Sequence, residues 1–269
     1  MSREKELAYR YDLFISPDWG DRFDAMVDEH IQFPKEGRIL DVNCGTGGHT
    51  ASIAATLDEK GEVIGVDPSE ERLELARAKA QALKLTRLTF QQSLPWDLPF
   101  SSHEFDAVSG DVSLLHAGQV EEVLDELIRV AQPGASVVLR MTTHGSFDEL
   151  FSLYWEALLA TGLVDEVWSS LEAMINERLT VSDAERMAER AGLSQVKSFT
   201  QKEEFSYANA AEFLESPVIA DYFLADWLEI VPEGRRDEVL RELSAIIDGE
   251  RYDGAFEVSI KATLIAGVK

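Results

Sequence analysis

A chain of 269 residues is long enough to bury a full α/β core, and its 45% hydrophobic and 28% charged residues are ordinary for a globular protein. Its 25 basic against 50 acidic residues leave a net charge of −25, which repels phosphodiester backbones and anionic lipids and argues against nucleic-acid substrates. No apolar run approaches the roughly 18 residues that cross a bilayer, the opening MSREKELAYR has no secretory pattern, and a single cysteine, Cys44, excludes a disulfide framework or cysteine-rich zinc cage. The expectation is therefore a cytoplasmic protein without metal, membrane insertion or nucleic-acid partner, of undetermined oligomeric state.

Residues 1–35 read as a helical lap with Tyr9, Tyr11, Phe14 and Trp19. From residue 38 onward short β-rich runs alternate with helical periods, the pattern of a parallel sheet wound with helices. RILDV (residues 38–42) is a buried first strand, HTASIAATL a helix, and EVIGVD (62–67) a second strand. Ser69 caps the helix that follows, with Pro68 just outside it and acidic residues in its first turn. LTFQQ is a third strand, FDAVSG (105–110) a fourth, VEEVLDELIRVA a helix ended by Gln132, Pro133 and Gly134, and SVVLRMTT (136–143) a fifth strand. AERMAERAGL forms a further helix, with a sixth strand near residues 195–200 and a last one over 255–267. Segments 144–181 and 206–250 read as helical and aromatic. Leaving the ends of strands five and six, they are expected to cover the ligand face as lids on a single domain, whose sheet is completed by residues 182–205 and 251–269.

A strand, a glycine-rich turn and a helix bring backbone close to a ligand, and Gly45, Gly47 and Gly48 supply that turn in DVNCGTGG (41–48). A nicotinamide fingerprint G-x-G-x-x-G begun at Gly45 needs a third glycine where Thr50 stands. Asp67 ends strand two, where a carboxylate can accept hydrogen bonds from both ribose hydroxyls at about 1.5–3 kcal/mol each. That identifies a ribose rather than a particular cofactor, since dinucleotide enzymes use the same device.

The run from Asp41 to Gly47 resembles motif I of class I S-adenosylmethionine-dependent methyltransferases, D-x-G-x-G-x-G, with Asn43 in the first glycine place; asparagine tolerates left-handed backbone. LPF (98–100), FDAV (105–108), LLH (114–116) and RVAQPGA (129–135) follow in the order found in small-molecule members of that family that resemble quinone-biosynthesis enzymes. The resemblance implies a Rossmann-like seven-stranded, mostly parallel sheet with helices on both faces and an antiparallel last strand, S-adenosylmethionine as cofactor bound by residues 38–143, and a small-molecule acceptor. It implies cofactor contacts at Asp41, Asn43, Gly45, Gly47, Asp67, Pro68, Gly110 and Asp111. It implies further cofactor contacts at Ser93 and Leu94, which stand where the family usually carries an acidic residue that receives the adenine amino group.

In-line methyl transfer asks a protein to align donor and acceptor, an effect worth roughly 7–11 kcal/mol, with a base only where the acceptor must lose a proton. His116, after strand four, is the candidate base or orienting group, and His144, after strand five, a substrate-pocket candidate with Tyr11, Trp155 and Trp227. Aromatic walls suit both a sulfonium and an apolar acceptor, although helical spacing equally suits packing. Cys44 reads as a small filler and His49 as a solvent-facing helix residue. Two other readings stay open: a non-catalytic protein that binds S-adenosylmethionine or a partner, and a nicotinamide oxidoreductase.

Overall fold

A computed structural model describes residues 2–249 and 254–269. Seven strands form one sheet in the order β3-β2-β1-β4-β5-β7-β6. They are β1 (Gly37–Val42), β2 (Gly61–Asp67), β3 (Leu88–Gln92), β4 (Phe105–Asp111), β5 (Ala131–Thr142), β6 (Ser194–Tyr207) and β7 (Phe256–Val268). The pairs β1 with β2, β2 with β3, β1 with β4 and β4 with β5 are parallel, while β7 runs antiparallel to β5. The chain order reverses between β1 and β4, so the carboxyl ends of those strands border the crevice where open α/β sheets bind ligands.

The chain divides into two compact units, the first of Met1–Thr142, Thr180–Thr200 and Ala262–Lys269, the second of Thr143–Leu179 and Gln201–Lys261. In the first, β1 and β4 bury Ile39, Leu40, Val42, Phe105, Ala107 and Val108, as a parallel sheet covered on both faces requires. Helices α3 (Gly48–Ala55), α4 (Glu70–Ala82) and α5 (Val120–Val130) follow β1, β2 and β4, and α8 (Val181–Arg190) precedes β6. Val120, Val123, Leu124, Leu127 and Ile128 lie at helical spacing on the buried stripe of α5. The N-terminal residues are helical, as α1 (Arg3–Arg10), a wide-turn π-helical segment (Tyr11–Gly20) and α2 (Asp21–His30). Ile15, Trp19, Phe23, Met26 and Val27 are buried, and the Trp19 indole donates to Ser113 Oγ at 2.9 Å.

Two strand boundaries differ from the sequence reading by more than one residue. β5 begins at Ala131 instead of Ser136 because Ala131 pairs with Phe105 across a register shift. The Lys269 ammonium also donates to the Ala131 carbonyl at 2.8 Å, and Gly134 N–H donates to Lys269 O at 2.8 Å. β6 continues to Tyr207, seven residues beyond the expected Thr200.

The second unit contains α6 (Asp148–Ala160), α7 (Val164–Asn176), α9 (Ala210–Glu215), α10 (Pro217–Tyr222), α11 (Leu224–Glu229) and α12 (Arg236–Gly249). Its core is aromatic: the Trp227 ring lies 5.2 Å from Phe147, 5.6 Å from Phe223 and 6.0 Å from Phe151. The Tyr154 hydroxyl donates to the Trp227 carbonyl at 2.7 Å, so this ring's one polar end is satisfied inside the core.

Candidate active site

The turn after β1 is left-handed at three places, with φ of 57° at Asn43, 57° at Gly45 and 75° at Gly47. Asn43 holds its unusual conformation with a side-chain bond, Nδ2 donating to the Asp111 carbonyl at 2.7 Å. This ties the turn after β1 to the end of β4. A Cβ at Gly45 would lie 2.6 Å from the Tyr11 ring, and one at Gly47 would lie 2.8 Å from Phe90 and 2.9 Å from Ala76. Gly45 thus serves a close approach over the turn, whereas Gly47 serves packing of the turn onto the sheet.

Asp67 is buried and its carboxylate spans the turn: Oδ2 accepts from Gly45 N–H at 3.0 Å and Oδ1 from Ser69 N–H at 2.9 Å. Burial raises its pKa, against the opposing pull of Arg72 and the two amides. Two carboxylate oxygens offer about four lone-pair sites, so the amides orient Asp67 and leave it acceptor capacity for two hydroxyls.

A buried charged cluster lies beside the same turn. Arg140, on β5, donates to Asp41 Oδ1 on β1 at 2.9 Å, to Asp24 on α2, and to His49 Nδ1 on α3 at 3.4 Å. Thr50 Oγ1 donates to Asp41 Oδ2 at 2.7 Å. His49 is 6% exposed, which corrects the expectation of a solvent-facing residue. Its Nδ1 accepts from Arg140 and its Nε2 faces Asp28 at 3.3 Å, so burial and the neighbouring Arg140 hold the imidazole neutral, its pKa lowered to about 4. Asp24 is pushed the other way, to about 7, by burial and by Asp41 and Asp111, against the pull of Arg140. A polar cavity of about 20 Å³ is lined by Tyr11, Asp24, Asp41, Asn43, Asp111 and Arg140, among others.

Tyr11, from the π-helical segment, lies over Gly45 with the Arg72 guanidinium 4.1 Å from its ring centre. Next to it, Asp12 accepts from Thr46 Oγ1 at 2.6 Å and pairs with Lys79, fastening the segment to the turn and to α4. A cavity of this size holds about one water molecule. The Cys44 thiol is pushed well above its ordinary pKa by burial and by Asp67 and Asp41, in keeping with a filler.

The structure thus brings Tyr11, Asp41, Asn43, Gly45, Asp67 and Asp111 together. Gly110 meets the core side, since a Cβ there would lie 2.8 Å from Leu127. The Pro68 carbonyl accepts from Gln92 Nε2 at 2.8 Å, and Ser93 Oγ donates to the Asp97 and Leu94 carbonyls at 2.9 and 3.1 Å. Leu94 is 45% exposed at this edge. His116 is exposed on the turn after β4 and is not among the residues lining the cavity. His144, Trp155 and Trp227 belong to the second unit. There His144 Nε2 lies 3.3 Å from Asn176 Oδ1, Trp155 is 39% exposed, and Trp227 is buried among aromatic rings. Sequence reasoning missed Arg140 and Asp24. The first had a signal, an arginine inside the buried run SVVLRMTT; the second, one acid of several on α2, had none.

Residues 34–192 match a family model described as a methyltransferase domain. The chain is 30% identical over 175 residues to a Bacillus cereus protein named demethylmenaquinone methyltransferase, across 61% of this chain and 73% of that one. Its fold is similar to that of the YcgJ protein of Bacillus subtilis, with a TM-score of 0.59 at 18% identity over 93% of this chain and 98% of that one. It is also similar to phosphoethanolamine N-methyltransferase 2 of Haemonchus contortus, solved with phosphomonomethylethanolamine and S-adenosylhomocysteine. There the TM-score is 0.58 at 18% identity, over 100% of this chain and 58% of that one.

Proposed function

The chain belongs to the methyltransferase-domain family, and from that premise we propose that it moves the methyl group of S-adenosylmethionine onto a small, moderately apolar acceptor. The observation that carries this reading is the charge of the crevice. Asp24, Asp41 and Asp111 line the cavity with one arginine, Arg140, and Asp67 stands across the turn. Such a surplus of carboxylates suits a donor with a sulfonium and an ammonium, and it repels the pyrophosphate of a dinucleotide.

S-adenosylmethionine supplies an electrophilic methyl group on a sulfonium. Asp67, already oriented by the Gly45 and Ser69 amides, accepts the ribose hydroxyls with its remaining lone pairs. The turn from Asn43 to Gly47 supports the sulfur end, and Tyr11 closes over it from the N-terminal segment. Ser93, Leu94 and backbone at the end of β3 flank the adenine. Alignment and exclusion of water then carry the transfer, and a base is needed only for an acceptor that must lose a proton. The acceptor is set by residues other than those of the donor turn.

The name of the Bacillus cereus relative makes hydroxylated, quinol-like aromatics the first acceptors to try, with amines and enolisable carbonyls beside them. Isotope-labelled methyl transfer into such a panel tests the reading. Transfer is expected, and Asp67→Ala should raise the Kd for S-adenosylmethionine at least tenfold, about 1.4 kcal/mol. Tight donor binding with no labelled product from any acceptor class would favour a non-catalytic binding protein instead.

A further inference from the structure

Nothing in the motif pattern points to α2, yet that helix places a carboxylate in the same cavity as the methyltransferase turn. Asp24 and Arg140 line it together with Asp41, Asn43 and Asp111. The cluster is unbalanced. Arg140 faces Asp24, Asp41 and Asp111, the neighbouring His49 is neutral, and Asp28 on α2 is already engaged with that imidazole. Tyr11, from the π-helical segment, adds only a phenol. A second sign of an incomplete site is Arg140 itself, whose side chain is 4% exposed and whose buried Nε has no hydrogen-bond partner among the described residues. Buried polar groups of this kind ordinarily find partners, and here donor and acceptor capacity stand side by side next to the turn.

We propose that Asp24 is a donor-binding residue, its carboxylate receiving the α-ammonium of the amino-acid end of S-adenosylmethionine while Arg140 stands by for the α-carboxylate. This rests on the methyltransferase reading given above. A zwitterion matches the pair: its ammonium neutralises the excess carboxylate, and its carboxylate offers the arginine an acceptor. The same contact would fasten α2, and with it the N-terminal segment, over the bound donor.

Asp24 without ligand is half protonated near pH 7, because burial and the neighbouring carboxylates outweigh Arg140. A cation placed against it favours the ionised form, so binding expels a proton. Calorimetric titration of the full chain with S-adenosylmethionine at pH 6.5, in two buffers of different ionisation heat, reads this directly. Release of roughly three-quarters of a proton per molecule is expected, with affinity rising about fivefold from pH 6 to pH 7, below the range where the ligand's own amino group titrates. S-adenosylhomocysteine, which keeps the amino-acid end, should release the same amount, and 5′-methylthioadenosine, which lacks it, should bind with no release. Asp24→Asn should abolish both the release and the pH dependence. The carboxyl 13C shift of Asp24 in the unmodified protein, moving to its ionised position on addition of S-adenosylhomocysteine, gives the same answer without a variant. Donor binding without proton release, release that survives in Asp24→Asn, or equal release with 5′-methylthioadenosine would each overturn the proposal and leave the methyltransferase reading standing. No binding of either sulfur ligand at any pH would remove both.

Discussion

Asn43 and Gly45 share a left-handed backbone for different physical reasons, and the difference predicts how each responds to substitution. Asn43 is held by its own amide on the Asp111 carbonyl, whereas Gly45 leaves no room for a side chain beneath Tyr11. Gly45→Val should therefore abolish detectable binding of S-adenosylhomocysteine in equilibrium dialysis, since it strains φ and fills the approach; affinity equal to the parent protein would refute this role. His49 and Asp24 both contribute to the pH response of stability in the unliganded protein, with opposite signs. The His49 pKa, lowered to about 4, means the unfolded chain binds more protons between about pH 4 and 6.5, so this group makes stability rise with pH there. Asp24 has the opposite sign: its folded pKa, raised to about 7, means the folded state holds the extra proton, and stability is lost as pH rises through 7. Between pH 6 and 8 this costs about 1.4 kcal/mol. Urea denaturation of Asp24→Asn should show a shallower decline over that interval, and identical slopes would assign the proton elsewhere. The left-handed turn at Asn43 was readable through the resemblance to motif I, and the place of Asp67 at the end of β2 from the strand pattern. The burial of His49 was not, because its partners Asp28 and Arg140 are distant in sequence and meet it only in the fold.

The strands near the turn were readable as elements because β-branched runs bounded by polar segments leave little choice of period. The start of β5 and the end of β6 were not, because pairing partners decide where a strand begins and ends: Ala131 is extended by Phe105 and by the Lys269 ammonium, in spite of Pro133 and Gly134 two and three residues on. The lap was readable as helical, but its wide turns and its attachment through Asp12 to Thr46 and Lys79 were not. Since Tyr11 lies over Gly45, donor binding should change backbone hydrogen exchange across residues 3–20 more than across β6; an unchanged lap would mean the ligand binds elsewhere. In the helical unit, aromatic residues at helical spacing left pocket and core undivided, and burial divides them. Trp227→Ala should destabilise by about 3–5 kcal/mol in chemical denaturation, as a buried aromatic truncation does. Trp155→Ala, at a 39% exposed position, should stay within about 0.5 kcal/mol. Equal costs at the two positions would contradict this division.

The net charge of −25 and the carboxylates around the turn act in the same direction, against polyanions and phosphate-rich cofactors and toward a cationic donor. Sequence order carried much of this: five strands, with helices after the first, second and fourth, and four ordered motifs locate the sheet and the glycine turn. The division into two compact units was harder to read, because their boundaries are set by packing while the backbone runs on through β6 and β7. Among the described residues no helix is long and apolar enough to cross a membrane. The acceptor lies beyond what the turn can specify, because motifs that position a donor place no demand on what receives the methyl group. The donor itself is open to direct test by thermal denaturation of the whole chain with S-adenosylmethionine, S-adenosylhomocysteine and NADH in parallel. A ligand at a hundred times its Kd adds about 2.7 kcal/mol to stability. Concentration-dependent rises in Tm are expected with both sulfur ligands and none with NADH. An equal rise with NADH, or no rise with either sulfur ligand, would contradict this.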